Sequence, residues 1–223
     1  MIQSNGSRQT NQPIQNTFRR TGPLDAYIYQ KRSDNENMEE SNPIIMVHLP
    51  RDEVIVSKDK CLHIFTDGAC TKNGRKGANA AWGVLVVSDI GHIILDRFSG
   101  AVPIQEPQTN QRAELRALLK GLETAEKQLQ TNSVTKVYIW SDSEYSIKCA
   151  SVWGPTWKRN GWKKQNGDIQ HLDLIQPLVL GTQRLGPAIE YKWLKGHKGG
   201  DSQYMFPWMF NHQVDALATE ALR

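Results

Sequence analysis

Residues 62–70 read "LHIFTDGAC", an apolar run of strand character that stops at Asp67 and turns on Gly68. An Asp-Gly pair behind a hydrophobic run is commonly a turn, the glycine supplying a positive φ and the aspartate bonding its own backbone. Residues 136–142, "KVYIWSD", repeat the design and end in another carboxylate, Asp142. In an open α/β sheet, ligands bind in the crevice outside the carboxyl ends of adjacent parallel strands. If these two strands are neighbours, both acids face that crevice.

The surrounding pattern supports such a sheet. "AWGVLVVSD" and "GHIILDRFSGAV" read as two strands joined by a turn near Asp89-Ile90-Gly91. "TNQRAELRALLKGLETAEKQL" places Leu115, Leu118, Leu119, Leu122 and Ala125 at helical spacing, with Thr109 or Asn110 as its N-cap. A short helix follows Asp142 and breaks at Gly154-Pro155; "HLDLIQPLVL" reads as a helix that Pro177 shortens or kinks. "AIEYKWL" is a fifth strand, and "NHQVDALATEAL" a closing helix. Strand hairpins followed by alternating strands and helices predict an α/β fold, a mixed five-stranded sheet flanked by helices.

With 223 residues, 39% hydrophobic and 22% charged, the chain suits one soluble domain plus a tail. Residues 1–56 form the polar extension, rich in Gln, Asn, Ser, Thr and Arg and expected to be disordered, and residues 57–223 the folded domain. Within the extension, "NPIIMVHLP" (42–50) is an apolar island suited to docking as an extended segment. No apolar run spans a bilayer, so no membrane partner is expected. Cys61, Cys70 and Cys149, odd in number and widely spaced, argue against a disulfide framework or a zinc site. They predict a reducing intracellular compartment, nucleus or cytoplasm. The acid-free opening with Arg8, Arg19 and Arg20 keeps the mitochondrion open.

Two more acids, Glu114 and Asp215, fall in the first turns of helices. Singly, each reads as a solvated surface group. Four carboxylates drawn together would repel one another and raise their own pKa values, and divalent cations resolve that conflict. Mg²⁺ takes oxygen ligands, and two such ions about 4 Å apart serve in-line phosphoryl displacement. A polyanionic partner is suggested by residues 145–167, which hold Lys148, Lys158, Arg159, Lys163 and Lys164, no acid, and the interleaved Trp153, Trp157 and Trp162. Basic groups neutralise phosphates, and flat aromatics pack on sugars or bases. The same tryptophans read equally as core anchors with a soluble basic rim.

"IFTDGAC", "TNQRAEL", "SDSEYSI", "WKRNGWKK", "KGH" and "NHQVDALA" occur in the order and approximate spacing of the type 1 ribonucleases H, and the chain from Lys60 to Arg223 resembles that family. The resemblance implies an RNase H-like fold. It also implies metal-dependent, sequence-independent endonucleolytic hydrolysis of the RNA strand of an RNA–DNA hybrid, leaving 5′-phosphate and 3′-hydroxyl ends. Asp67, Glu114, Asp142 and Asp215 fall on the family's carboxylates for two Mg²⁺ ions, with Mn²⁺ as a substitute, and His197 on its loop histidine. Gly68, Asn110, Gln111 and Glu144 fall where the family meets RNA, and Cys70, Asn73 and Thr109 where it meets or neighbours DNA. The protrusion of Trp153, Trp157, Lys158, Arg159, Trp162, Lys163 and Lys164 falls where it grips the DNA strand. Asn211 falls near the scissile region, and its place also suits a helix N-cap. His171 stands where an Asn is common and receives no role.

The segment between His197 and Asn211, "KGGDSQYMFPWMF", is longer than the family's usual loop. Its residues 204–210 form an aromatic, apolar patch that would pack on the domain or contact a protein partner. A monomer is expected. The rival reading is a weakly active or non-catalytic hybrid-binding protein whose turnover the insertion spoils.

Overall fold

The structure, a computed structural model, describes residues 16–20, 27–31, 45–46, 61–131, 134–165, 167–196 and 205–223. The chain divides into two compact units, Met1–Glu53 and Val54–Arg223. In the first, strands β1 (Asn16–Arg20), β2 (Tyr27–Lys31) and β3 (Ile45–Met46) pair antiparallel in the order β1-β2-β3. The expectation of a disordered tail falls otherwise outside the described residues.

The second unit holds a five-stranded mixed sheet: β4 (Cys61–Thr71), β5 (Asn79–Ser88), β6 (Ile94–Ala101), β7 (Lys136–Ser141) and β8 (Ile189–Trp193). Their order is β6-β5-β4-β7-β8. The β4–β5 and β5–β6 pairs are antiparallel hairpins, while β7 and β8 add in parallel. Helix α1 (Asn110–Gln130) makes the crossover from β6 to β7. After β7 come α2 (Glu144–Lys148), a π-helical turn (Cys149–Trp153), α3 (Gly154–Arg159), α4 (Leu172–Leu185) and, beyond β8, α5 (Trp208–Glu220). The expected fold class is the observed one.

Strand periodicity explains the layers. Leu62, Ile64, Val84 and Val86 join Leu115, Leu118, Leu122, Ile175 and Leu178 in the main core, under α1 and α4. Alternate residues Phe65, Leu85 and Val87 face the other way, against Phe210 and Val214 of α5. Both faces of the central strands are therefore covered, which is why they read as nearly continuous apolar runs.

Three elements differ from the sequence reading. Helix α4 runs through Pro177 to Leu185. The proline is exposed and removes one ladder bond, while Ile175, Leu178 and Val179 are buried and hold the helix down. Helix α5 starts at Trp208 rather than near Asn211, because Phe210 extends the buried row of Val214 and Ala218 by one turn. Strand β4 does not end at Asp67 but continues to Thr71. What ends there is its parallel pairing, which stops at Phe65 opposite Trp140.

Candidate active site

Asp67 emerges where β7 no longer covers β4, and across the other ladder it faces Gly83 of β5. Asp142 directly follows the last residue of β7. Two close approaches bring the helices to these strands. A Cβ on Gly68 would overlap the main chain of Ala113 and Glu114, so α1 rests directly on β4 and Glu114 reaches Asp67. A Cβ on Gly83 would lie 3.0 Å from Val214 O and Ala218 N, so α5 rests on β5 beside Asp67.

Asp67, Glu114 and Asp142 each offer an oxygen, and these oxygens all lie within 4.8 Å of one another. Asp215 joins them in lining one cavity of about 350 Å³, with Gly68, Cys70, Asn110 and Thr219. Asp67 and Glu114 are only 5% and 7% exposed. Burial, then the charges of Asp142 and Asp215, push the Asp67 carboxyl well above its ordinary range. Burial, then Asp67 and Asp142, do the same to Glu114. Asp67 Oδ1 accepts a hydrogen bond from Gly68 N (2.8 Å), and Glu114 Oε1 one from Asn110 Nδ2 (3.5 Å). Glu114 Oε2 is buried with no hydrogen-bond partner. A converging, all-oxygen donor set with an orphaned carboxylate oxygen fits hard divalent cations such as Mg²⁺ or Mn²⁺, and lacks the nitrogen or sulfur that zinc favours.

Asn211 is buried inside the first turns of α5, not at its cap, and its Nδ2 donates to Asp142 Oδ2 (3.4 Å). His197 lies outside the described residues. Thr109 caps α1, accepting from Arg112 N (3.3 Å), and Asn73 Oδ1 accepts from Asn110 N (3.1 Å), tying the β4–β5 turn to the same helix end. Cys70 Sγ donates to Gln108 O (3.6 Å), and Glu144 is exposed and paired with Lys148 (2.8 Å).

The basic protrusion is part anchor, part surface. Trp157 and Trp162 pack on the main core, while Trp153 is 38% exposed, with Lys148 Nζ 5.8 Å from its ring centroid. Trp153, Trp157, Tyr145, Lys164 and Gln111 line a second cavity of about 370 Å³. Lys158 donates to Gln183 (2.6 Å), Arg159 to Thr156 (3.0 Å), and Lys163 is exposed. The first turn of α1 serves both places, turning Asn110 and Glu114 to the acids and Gln111 to the tryptophans. The apolar patch of the insertion packs inward: Phe206, Met209 and Phe210 join the core under α5, leaving Met205 exposed. Sequence reasoning missed Gly83, Gly196, Trp193 and Trp208 around the acids, since only tertiary contact singles them out.

The family model for RNase H matches residues 59–223. The chain belongs to the RNase H family. It is 31% identical to Ribonuclease H1 of Mus musculus over 176 residues, 76% of this chain and 55% of the mouse protein. It is 33% identical to Ribonuclease H of Schizosaccharomyces pombe over 192 residues, 85% of this chain and 63% of the relative. With Ribonuclease H of Nitrosococcus oceani the figures are 34% identity, 72% of this chain and 93% of the relative. The chain thus spans between half and two thirds of the two eukaryotic relatives and nearly all of the bacterial one. Among solved structures, the prototype foamy virus RNase H domain superposes with a TM-score of 0.60 at 23% identity, covering 72% of this chain and 93% of that domain. LC9-RNase H1, a type 1 RNase H with the type 2 active-site motif, superposes with a TM-score of 0.54 at 25% identity, covering 74% and 72%.

Proposed function

We propose that this RNase H-family chain is a divalent-metal-dependent endonuclease that hydrolyses the RNA strand of RNA–DNA hybrids without sequence preference, leaving 5′-phosphate and 3′-hydroxyl ends. The observation that carries this reading is the convergence of Asp67, Glu114 and Asp142 around a buried, unpartnered carboxylate oxygen. No cationic side chain among the described residues offsets Asp67 or Glu114. Asp67, Glu114, Asp142 and Asp215 would hold two Mg²⁺ ions, or Mn²⁺ in their place. Such ions supply charge neutralisation and water activation for an in-line displacement.

The chain's own residues frame the substrate. Asn211 orients Asp142, and Asn110 orients Glu114. The main chain at Gly68, whose missing side chain makes room for α1, borders the acid cavity across which the RNA strand would lie. Asn110, Gln111 and Glu144 are polar groups suited to reading 2′-hydroxyls. Cys70, Asn73 and Thr109 sit toward the second strand, which the Trp153–Trp157 cavity and Lys158, Arg159, Lys163 and Lys164 hold by its backbone. Because one turn of α1 feeds both cavities, a duplex gripped at the tryptophans has its other strand laid across the acids.

Incubating the purified chain with end-labelled hybrid and Mg²⁺, with an EDTA control, tests the reading. The expected result is ladder-like cleavage of RNA alone, abolished by EDTA. Binding without cleavage, or equal cleavage of duplex DNA, would overturn it.

A further inference from the structure

Asp142 is the least protected of the three clustered acids. Asp67 is embedded in a strand and Glu114 in a helix, whereas Asp142 is half-buried at a bend just past β7. The charge repulsion felt by Asp67 and Glu114 acts on Asp142 in return, and nothing in a bend alone keeps its carboxylate pointing inward. The structure supplies braces from two other elements. Trp193, at the end of β8, donates its indole N–H to the main-chain oxygen of Asp142 (3.0 Å). Two residues on, Lys195 has its main-chain oxygen held by the indole N–H of Trp208 (3.2 Å). Next in the chain, Gly196 lies so close to Asp142 that a Cβ there would overlap Oδ2. The strand exit is thereby pressed along one side of the carboxylate, while Asn211 bonds it from another.

Trp208 belongs to the long segment that separates β8 from the acid-bearing part of α5. Its neighbour Phe206 is what plants the described end of that segment, from Met205 onward. The Phe206 ring stacks on His92 (4.2 Å between centroids) and meets His63 (5.0 Å) and Trp140 (5.5 Å) edge to face. His63 is itself fixed by Trp140 Nε1 (3.0 Å) and Asp89 (2.8 Å). A seated Phe206 sets where α5 begins and so where Trp208 points.

We propose that Trp193 and Trp208 are positioning residues for Asp142, two indole N–H groups that lock the β8 exit against its main chain and carboxylate. The described end of the insertion, on this reading, braces the site rather than spoiling it. The inference rests on the nuclease reading above, since it concerns the cation-holding geometry of the same acids.

Trp193→Phe and Trp208→Phe keep an aromatic ring and remove only the N–H. Partners that orient a metal-holding group typically carry about 10–100-fold in metal affinity or activity. Each variant should therefore weaken calorimetric Mn²⁺ uptake by about tenfold and lower kcat by a similar factor, with KM for hybrid and the melting temperature nearly unchanged. Added metal should recover part of the lost rate. A packing role alone predicts metal affinity and kcat equal to the parent's, and that result in both variants overturns the proposal while leaving the nuclease reading intact. A parent chain that takes up no Mn²⁺ and leaves hybrid whole overturns both.

Discussion

The acid cavity and the tryptophan cavity share the first turn of α1 yet are built in opposite ways. In the first, two glycines let helices touch strands, and Asp67 and Glu114 are buried where their charges oppose one another. In the second, the tryptophans are partly anchored in the core while the cations around them stay at the surface. Buried charge held by close contact tolerates little change. A surface set of similar charges shares its work, so loss of one member is absorbed by the rest.

That contrast orders the expected losses. Asp67→Asn or Asp142→Asn should lower hybrid cleavage by about 10²–10³-fold, the scale of removing one preorganised electrostatic group, while hybrid affinity is largely retained. Rate and binding assays on the same preparations check this, and a rate within tenfold of the parent would break the claim that the cavity is the reactive centre. Gly68→Ala comes next. Its new Cβ must displace the main chain of Ala113 and Glu114, a form of overpacking that costs about 1–3 kcal/mol. Denaturant melts should show that loss, and cleavage should fall with it because Glu114 moves. A stable, fully active Gly68→Ala chain would mean that the approach of α1 to β4 is not needed.

For the protrusion, replacing Lys158, Arg159, Lys163 and Lys164 together by Ala should weaken hybrid binding. It should also reduce the salt slope of the affinity by about one unit for each cation that meets a phosphate. Any one of the four replaced alone should do much less. Single replacements as damaging as Asp67→Asn would erase the distinction between the two regions.

The two regions also differ in how readily the sequence discloses them. Asp67 and Asp142 stand out because each follows an apolar run, and the lysines and tryptophans because acids are missing between them. Gly68 is the instructive failure. By local chemistry Asp-Gly is a turn, but β4 continues through it, and the glycine is required by a helix that lies 45 residues later in the chain. Gly83 and Gly196 carry the same kind of information, and neither has a local pattern that reveals it. The sequence alone leaves the aromatic residues ahead of Asn211 either to pack on the domain or to meet a partner, and only the contact of Phe206 and Phe210 with the second core carries the start of α5 back to Trp208. Positions set by a residue's own neighbours were legible; those set by the approach of a distant element were not.

The last effect concerns stability without metal, and it isolates the cost of burying the acids. Asp67 and Glu114 have folded-state pKa values raised above the unfolded values of about 3.9 and 4.3. Below those values both states carry the proton and the groups contribute nothing. As pH rises through the window above them, the unfolded chain ionises first, and each group withdraws stability at up to about 1.4 kcal/mol per pH unit until the folded group also ionises. Glu106 and Asp173, held low by hydrogen bonds from Arg116 and Arg112, act in the opposite sense and lose their contribution as pH falls. A raw pH profile mixes the two. The difference between Asp67→Asn and the parent, both in EDTA, cancels the Arg-paired acids: the Asn variant should gain a stability advantage that starts only as pH rises through the unfolded value of about 3.9 and grows toward neutral pH. Bound Mg²⁺ stabilises the parent by mass action and should shrink that gap. An advantage that is flat across the window, or that grows toward acid, would show that Asp67 is not held at an electrostatic cost, and the contrast between a strained cavity and a relaxed protrusion would lose its physical basis.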